Sequence, residues 1–303
     1  MREDDRFSHR ILLLSDGHAN RGLVDQAELA RYTAELLARG VITSTVGIGD
    51  GYDEGLLGAM ADAGGGRLHD AEHAAEISEV VLGELREGRA ALVERTTLRV
   101  ETPPDVRVEV VGAWAQNTEP GAITMMVGSL LPDTPKRVVL RVHCPPGELE
   151  AKLGFSVSAT GTLPDSSGDV SAGPLAAELT FARGRENTGQ ARDIDRSVAV
   201  LTAWQAEAMR RTVTLNREGD RRGARSFLSR ELGWLEPYAC DLPGADALLA
   251  ELVLLERRAH EELDPRTRKE LFMASKMRGR YEGDLRSAPR MSVTEVLRRR
   301  APK

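Results

Sequence analysis

The spacing of apolar residues changes twice along the chain, and each change marks a new kind of element. Residues 10–80 alternate short apolar runs with stretches of helical spacing. RILLLSD (10–16) has the pattern of a strand buried on both faces. Asp25 stands where a helix N-cap belongs, ahead of Ala27, Ala30, Ala34, Leu37 and Ala38, and Gly40 ends that helix. VITSTVGIGD (41–50), rich in β-branched residues, reads as the next strand. Asp53 opens a helix with Leu56, Leu57 and Met60 inward, and Gly64-Gly65-Gly66 closes it. RLHD (67–70) is a third short strand. A helix from about Ala74 to Glu94 follows, with Ile77, Val80, Val81 and Leu85 on one face. Strand and helix in alternation, joined by short loops, predict parallel strands with helical crossovers.

From about residue 95 the period becomes two. TTLRVETP, VRVEVVGAW, AITMMVGSL, RVVLRVHCP, AKLGFSVSAT and LAAELTFA follow one another. Turn residues such as Pro103-Pro104, Glu119-Pro120-Gly121, Pro132-Asp133 and Pro145-Pro146-Gly147 separate them. Six short strands so spaced predict an antiparallel β-sandwich over 94–184, with DSSGDVSAGP (165–174) as a flexible loop. From about residue 190 the spacing is helical. Ile194, Val198, Leu201, Ala208 and Leu215 form one stripe, with Trp204 beside it. Gly219-Asp220 breaks the helix. Phe227, Leu228, Leu232 and Leu235 lie on a second helix, and Leu248, Leu249, Leu252, Val253 and Leu255 on a third. Asp264-Pro265 is an N-cap and first-position pair for a fourth. This is a helical hairpin region over 190–285, with Trp204 and Trp234 as packing residues. No repeat spans the chain.

Composition narrows the classes. The 303 residues suggest about two domains, or three small ones, and 41% hydrophobic with 29% charged residues is a globular balance. Only 4% are aromatic, so aliphatic side chains build the core. The net charge of −6 argues against a nucleic-acid binder, which needs clustered positive charge. The charge is uneven: residues 264–303 carry 12 Lys+Arg and 5 Asp+Glu, so a basic tail (286–303) ends an acidic body. That tail reads as a solvated terminus, with docking to an acidic partner or anionic lipid as the alternative. Cys144 and Cys240 have no metal-ligand spacing, and Cys144 reads as a buried or half-exposed thiol. No apolar run approaches the ~20 residues of a membrane span. MREDDRFSHR followed by only four apolar residues does not make a signal peptide, so a cytoplasmic location is expected.

One stretch carries a resemblance. ILLLSDGHANRG (11–22) ends a buried strand in Ser-Asp-Gly, and STVGIGDGYDEGLLGAMADAGGGRLHDAE follows at 44–72. Together they resemble the second half of a von Willebrand factor type A (VWA) domain of the bacterial kind, over about residues 8–88. The resemblance implies the C-terminal half of an open, doubly wound α/β sheet. The sandwich and helical hairpin that follow are similar to regions that flank VWA domains. It also implies a metal-ion-dependent adhesion site, in which carboxylates and hydroxyls at strand ends hold Mg²⁺. The family's ligands are a D-x-S-x-S triplet, a Thr on a later loop and the Asp of the (S/T)DG motif. Only the last has a match here, Asp16. No D-x-S-x-S occurs in the chain, and DSSGD (165–169) is not one. Asp16 is therefore a vestigial metal residue, and no cofactor is expected unless the upstream half of the domain is supplied.

The same resemblance leaves strand 10–16 as an apolar edge without its usual neighbour. Either this chain is a fragment whose true start lies upstream, or another polypeptide supplies the missing half, or the edge pairs with a second copy. The remaining chemistry is sparse. GIGDG (47–51) lacks the G-x-G-x-x-G spacing and reads as turn glycines. His69 and His73 read as surface histidines, Ser15 as locally hydrogen-bonded, and Asp16 with His18 finds no nucleophile or oxyanion partner. No catalytic residue is assigned, and the chain is expected not to be an enzyme. The function expected is a non-enzymatic protein-interaction scaffold of the VWA type with an unidentified protein partner. The alternatives are an enzyme with an unrecognised site or a fragment of a longer Mg²⁺-dependent VWA protein.

Overall fold

The structure is a computed structural model that describes residues 9–19, 21–73, 75–164, 168–280 and 292–298. Two compact units divide the chain. One holds 1–110, 114–136 and 140–191, and the other holds 192–303 with the short segments 111–113 and 137–139.

The first unit begins with β1 (His9–Ser15), α1 (Gln26–Ala38), β2 (Val41–Ile48), α2 (Glu54–Ala63), β3 (Gly65–Ala71) and α3 (Ala75–Ala90). The strands are parallel in the order β1-β2-β3. β2 is central, and seven of its eight residues are buried, which explains its unbroken apolar and β-branched run. The caps stand where the spacing puts them. Asp25 accepts the Glu28 N–H at 2.8 Å, and Asp53 accepts those of Gly55 and Leu56 at 2.9 and 3.0 Å. Gly40, past the end of α1, takes the left-handed φ of 81° that only glycine adopts cheaply. A Cβ on Gly66 would lie 2.3 Å from the Thr43 carbonyl oxygen, so the approach of β3 to β2 requires glycine there.

Helix α3 departs from its predicted face and ends at Ala90 rather than Glu94. Val81 and Leu85, assigned inward, are exposed, as is Leu82, while Glu84 is buried. Charge overrides the apolar stripe: Glu84 meets His69 and Arg10 from the sheet, and Glu87 meets Arg67.

Residues 93–180 form β4 (Val93–Glu101), β5 (Arg107–Val111), β6 (Gln116–Glu119), β7 (Ala122–Leu130), β8 (Val139–His143), β9 (Lys152–Thr162) and β10 (Asp169–Thr180). Five make an antiparallel sheet in the order β10-β9-β4-β7-β6, and β5 and β8 make a two-stranded sheet. Val100, Ile123 and Met125 are buried on the central strands. Two elements differ from expectation. β6 is polar and exposed at all four residues, so it carries no period-two signal and exists as the hairpin partner of β7. β10 begins inside the segment predicted to be a loop. It is an edge strand, and a shift of register between Ala172 and Leu175 absorbs Gly173-Pro174. Residues 165–167 of that predicted loop lie outside the described residues.

After the short α4 (Gly184–Thr188) comes the helical unit. It comprises α5 (Ile194–Arg217), α6 (Arg221–Ala239), α7 (Ala245–Arg258), α8 (Pro265–Arg280) and α9 (Val293–Arg298). Asp193, Asp220 and Asp264 accept the backbone N–H groups of Arg196, Gly223 and Thr267, capping α5, α6 and α8. Leu201, Met209, Val213, Leu228, Leu235, Leu252, Leu255 and Leu271 form the core. Trp204 packs edge-on to Tyr238 and donates to Glu231 Oε2 at 2.7 Å, tying α5 to α6 as its position suggested. Trp234 does not pack: it is 66% exposed, on the outer face of α6. Ile194, the first residue of the predicted stripe, is also exposed. Of the predicted basic tail, residues 292–298 are described. They form α9, which buries Val293, Val296 and Leu297 in the same core.

Candidate functional site

Asp16 follows the last residue of β1, at the carboxyl end of the parallel sheet. It is exposed. Its loop is shaped by backbone contacts: Ser15 Oγ donates to the Gly17 carbonyl at 3.0 Å, so Ser15 is locally bonded. A Cβ on Gly51 would lie 2.5 Å from the Asp16 carbonyl oxygen, which brings the 49–51 turn against Asp16. His18 Nδ1 lies 3.9 Å from Asp53 Oδ2, with the imidazole largely exposed.

The GIGDG turn serves packing. Gly47 lacks the Cβ that would strike the Tyr52 ring at 2.3 Å. Tyr52 is fully buried and donates to Asp70 Oδ1 at 2.8 Å. Among the described residues no group of three or more His, Cys, Asp or Glu side chains is arranged to hold a metal ion. One exposed carboxylate does not fit a Mg²⁺ site, since Mg²⁺ gives up water only to a denser set of oxygen ligands.

The histidines differ from the sequence reading. His69 is half-buried rather than on the surface, with Nε2 2.7 Å from Glu84 Oε1. His73 is exposed, so the two do not form a pair. Arg10 Nη1 donates to Glu84 Oε2 at 3.2 Å, and Nη2 lies 3.6 Å from Glu94 Oε1. Burial raises the Glu84 pKa. The hydrogen bond and charge of His69 and the charge of Arg10 outweigh it and hold the carboxyl below its usual range. Sequence reasoning missed this network. Its signal was Glu84 and Glu87, three apart on a helix, opposite Arg67 and His69, two apart on a strand. Cys144 and Cys240 are both exposed, contrary to the reading of Cys144 as a buried or half-exposed thiol.

The outer edge of β1 is the other feature of this region. Its ladder runs only to β2, from His9 opposite Val41 to Ser15 opposite Gly47. Among the described residues no strand pairs with its other side. Ile11 and Leu14, on opposite faces of the strand, are 40% and 43% exposed. The Arg10–Glu84 pair holds α3 beside β1, and α3 exposes Val81, Leu82 and Leu85. Among the described residues no helix is long and apolar enough to cross a membrane.

No protein-family model matches the chain, and no curated protein sequence matches it either. Solved structures do. A von Willebrand factor type A protein from Catenulispora acidiphila aligns with a TM-score of 0.60 and 17% identity, over 92% of this chain and 66% of that one. The ArnB paralog VWA2 from Sulfolobus acidocaldarius aligns with a TM-score of 0.48 and 16% identity, over 89% of this chain and 63% of that one. The chain thus spans about two thirds of the length of these proteins. With a parallel sheet, an antiparallel sheet and a helical unit in an order that aligns over 92% of its length, the chain has the fold of a von Willebrand factor type A-like protein.

Proposed function

We propose that the chain is a non-enzymatic protein-interaction module of the VWA type, a scaffold with an incomplete metal-ion-dependent adhesion site. Its docking surface is the outer edge of β1. The observation that carries this reading is that β1 pairs on one side only among the described residues, with Ile11 and Leu14 exposed. An unpaired row of N–H and C=O groups beside apolar side chains is a template for another strand. A second copy meets that need. Two β1 strands related by a two-fold axis pair antiparallel, with the same residues contributed from each side.

Light scattering on the purified chain tests this. The expected result is a dimer at micromolar concentration that Leu14→Lys converts to monomer, because a charge on the edge blocks pairing. Leu14 is 43% exposed, so the substitution leaves the fold intact. A wild-type chain that is monomeric throughout sinks the self-pairing reading.

A second reading has its own observation. The chain spans 66% of the Catenulispora structure, and Asp16, the aspartate of its Ser-Asp-Gly motif, follows β1 at the carboxyl end of the parallel sheet. On this reading the chain is part of a longer Mg²⁺-dependent VWA protein, and the upstream half completes both the sheet and the metal site.

A further inference from the structure

One flank of α3 is apolar and exposed, and the contacts of the helix fix where that flank lies. Glu87 meets Arg67 of β3, while Glu84 meets both His69 of β3 and Arg10 of β1. A Cβ on Gly88 would lie 3.1 Å from Arg10 Nε, so Gly88 stands over β1. Successive residues of an α-helix are about 100° apart. Glu87, Glu84 and Gly88 therefore follow one another round α3 from the β3 side to the β1 side. Val81 and Leu85 come next in that direction. Both are exposed, and they overhang the outer edge of β1, where no strand pairs among the described residues.

β1 itself presents the face that such an overhang fits. Arg10 points towards α3, so the two-residue period of a strand turns Leu12 and Leu14 the same way. In a two-fold antiparallel pair of β1 strands, full overlap of His9–Ser15 sets Leu12 opposite Leu12, and Leu14 opposite Arg10 of the second copy. The axis stands perpendicular to the sheet, so both strands keep the same face towards their helices. Leu14 of one copy thus arrives beside Arg10 of the other, beneath Gly88 and Leu85. The Arg10 charge is already met there by Glu84 and Glu94. Area points the same way. A joint of two seven-residue strands is about 23 Å long and by itself falls short of the roughly 1,000 Å² expected of a stable interface.

We propose, resting on the β1-edge reading above, that Val81 and Leu85 form a half-roof that receives Leu12 and Leu14 of a second copy. Each copy roofs the other's strand. The roof makes the edge selective: the strand that joins β1 must be apolar at alternate positions on the α3 side, and β1 of a second copy is.

The experiment is sedimentation velocity on the full chain across micromolar concentrations. Leu85→Glu should weaken the dimer by about 10-fold or more, because the roof then covers a charge. Leu85 is 58% exposed, so the circular dichroism spectrum and thermal midpoint should match the wild type. Leu175→Glu, at an exposed apolar position on β10, should dimerise as the wild type does. The decisive arm mixes Leu14→Lys with Leu85→Glu. In a mixed dimer the introduced ammonium lies beneath the introduced carboxylate, and the other contact is the native Leu14–Leu85 pair. The mixture should therefore dimerise more tightly than either variant alone. A Leu85→Glu chain that dimerises like the wild type, while Leu14→Lys is monomeric, overturns the roof and leaves strand pairing in place. A mixture no tighter than its components also overturns the roof. A monomeric wild type overturns both the roof and the self-pairing of β1.

Discussion

Glu84 sits between two basic side chains and helps hold α3 on the sheet. Its oxygens lie 3.2 Å from Arg10 and 2.7 Å from His69, and its side chain is 10% exposed. Replacing it with Ala leaves Arg10 and His69 without this partner in a poorly solvated site. The expected cost is roughly 3 kcal/mol, read from denaturant unfolding. Glu84 also sets a pH dependence. Its folded-state pKa lies below the ordinary carboxyl value of about 4.5, so the folded chain binds fewer protons than the unfolded one near that pH. The stability it contributes is full above the unfolded pKa and is lost as pH falls through the lower, folded value. Unfolding curves from neutral pH down to about pH 3 should steepen in their loss of stability below about pH 4.5, and Glu84→Gln should flatten that part of the profile.

At the scale of elements, the caps are where the sequence speaks most directly. Asp53→Ala removes the acceptor for two backbone N–H groups at the start of α2 and should cost about 1 kcal/mol, measured as a shift in the denaturation midpoint. Asp25, Asp53 and Asp264 were legible because a capping side chain, a glycine stop and an apolar period all signal one boundary, whereas Asp220 was read only as part of a helix break. β2 was legible because burial on both faces leaves a continuous run. The parts that were not legible lack any burial signal. β6 is exposed at every residue, and β10 is exposed at nearly every residue. Both are fixed by a neighbouring strand rather than by their own pattern. The apolar stripe of α3 misled for the opposite reason. Val81 and Leu85 have helical spacing, but the partners offered by the sheet are Arg10, Arg67 and His69, so the acidic face turns inward. At the candidate site, Asp16 was legible from its motif, while the uncovered edge beside it could be seen only through what the resemblance leaves out.

For the whole molecule the decisive question is what completes the region around β1, and metal binding reports on it. Asp16 is exposed, and among the described residues it has no cluster of further carboxylates or histidines with which to share an ion. Mg²⁺ keeps its water unless several oxygen ligands replace it, and a single surface carboxylate does not supply the charge required. Titration of this chain with Mg²⁺ or Mn²⁺ should therefore give no saturable signal at millimolar concentration. A chain extended upstream to include a D-x-S-x-S segment beside β1 should behave in the opposite way. Its new strand pairs with the free edge, Asp16 gains neighbouring ligands, and saturable binding appears that Asp16→Ala weakens. The same extension should abolish the β1-mediated dimer, because one strand edge accepts one partner. The two measurements are thus linked: metal binding without loss of the dimer would mean that the added segment does not pair with β1. Saturable binding by the unextended chain that vanishes in Asp16→Ala would place further ligands within this sequence and overturn the incomplete-site reading.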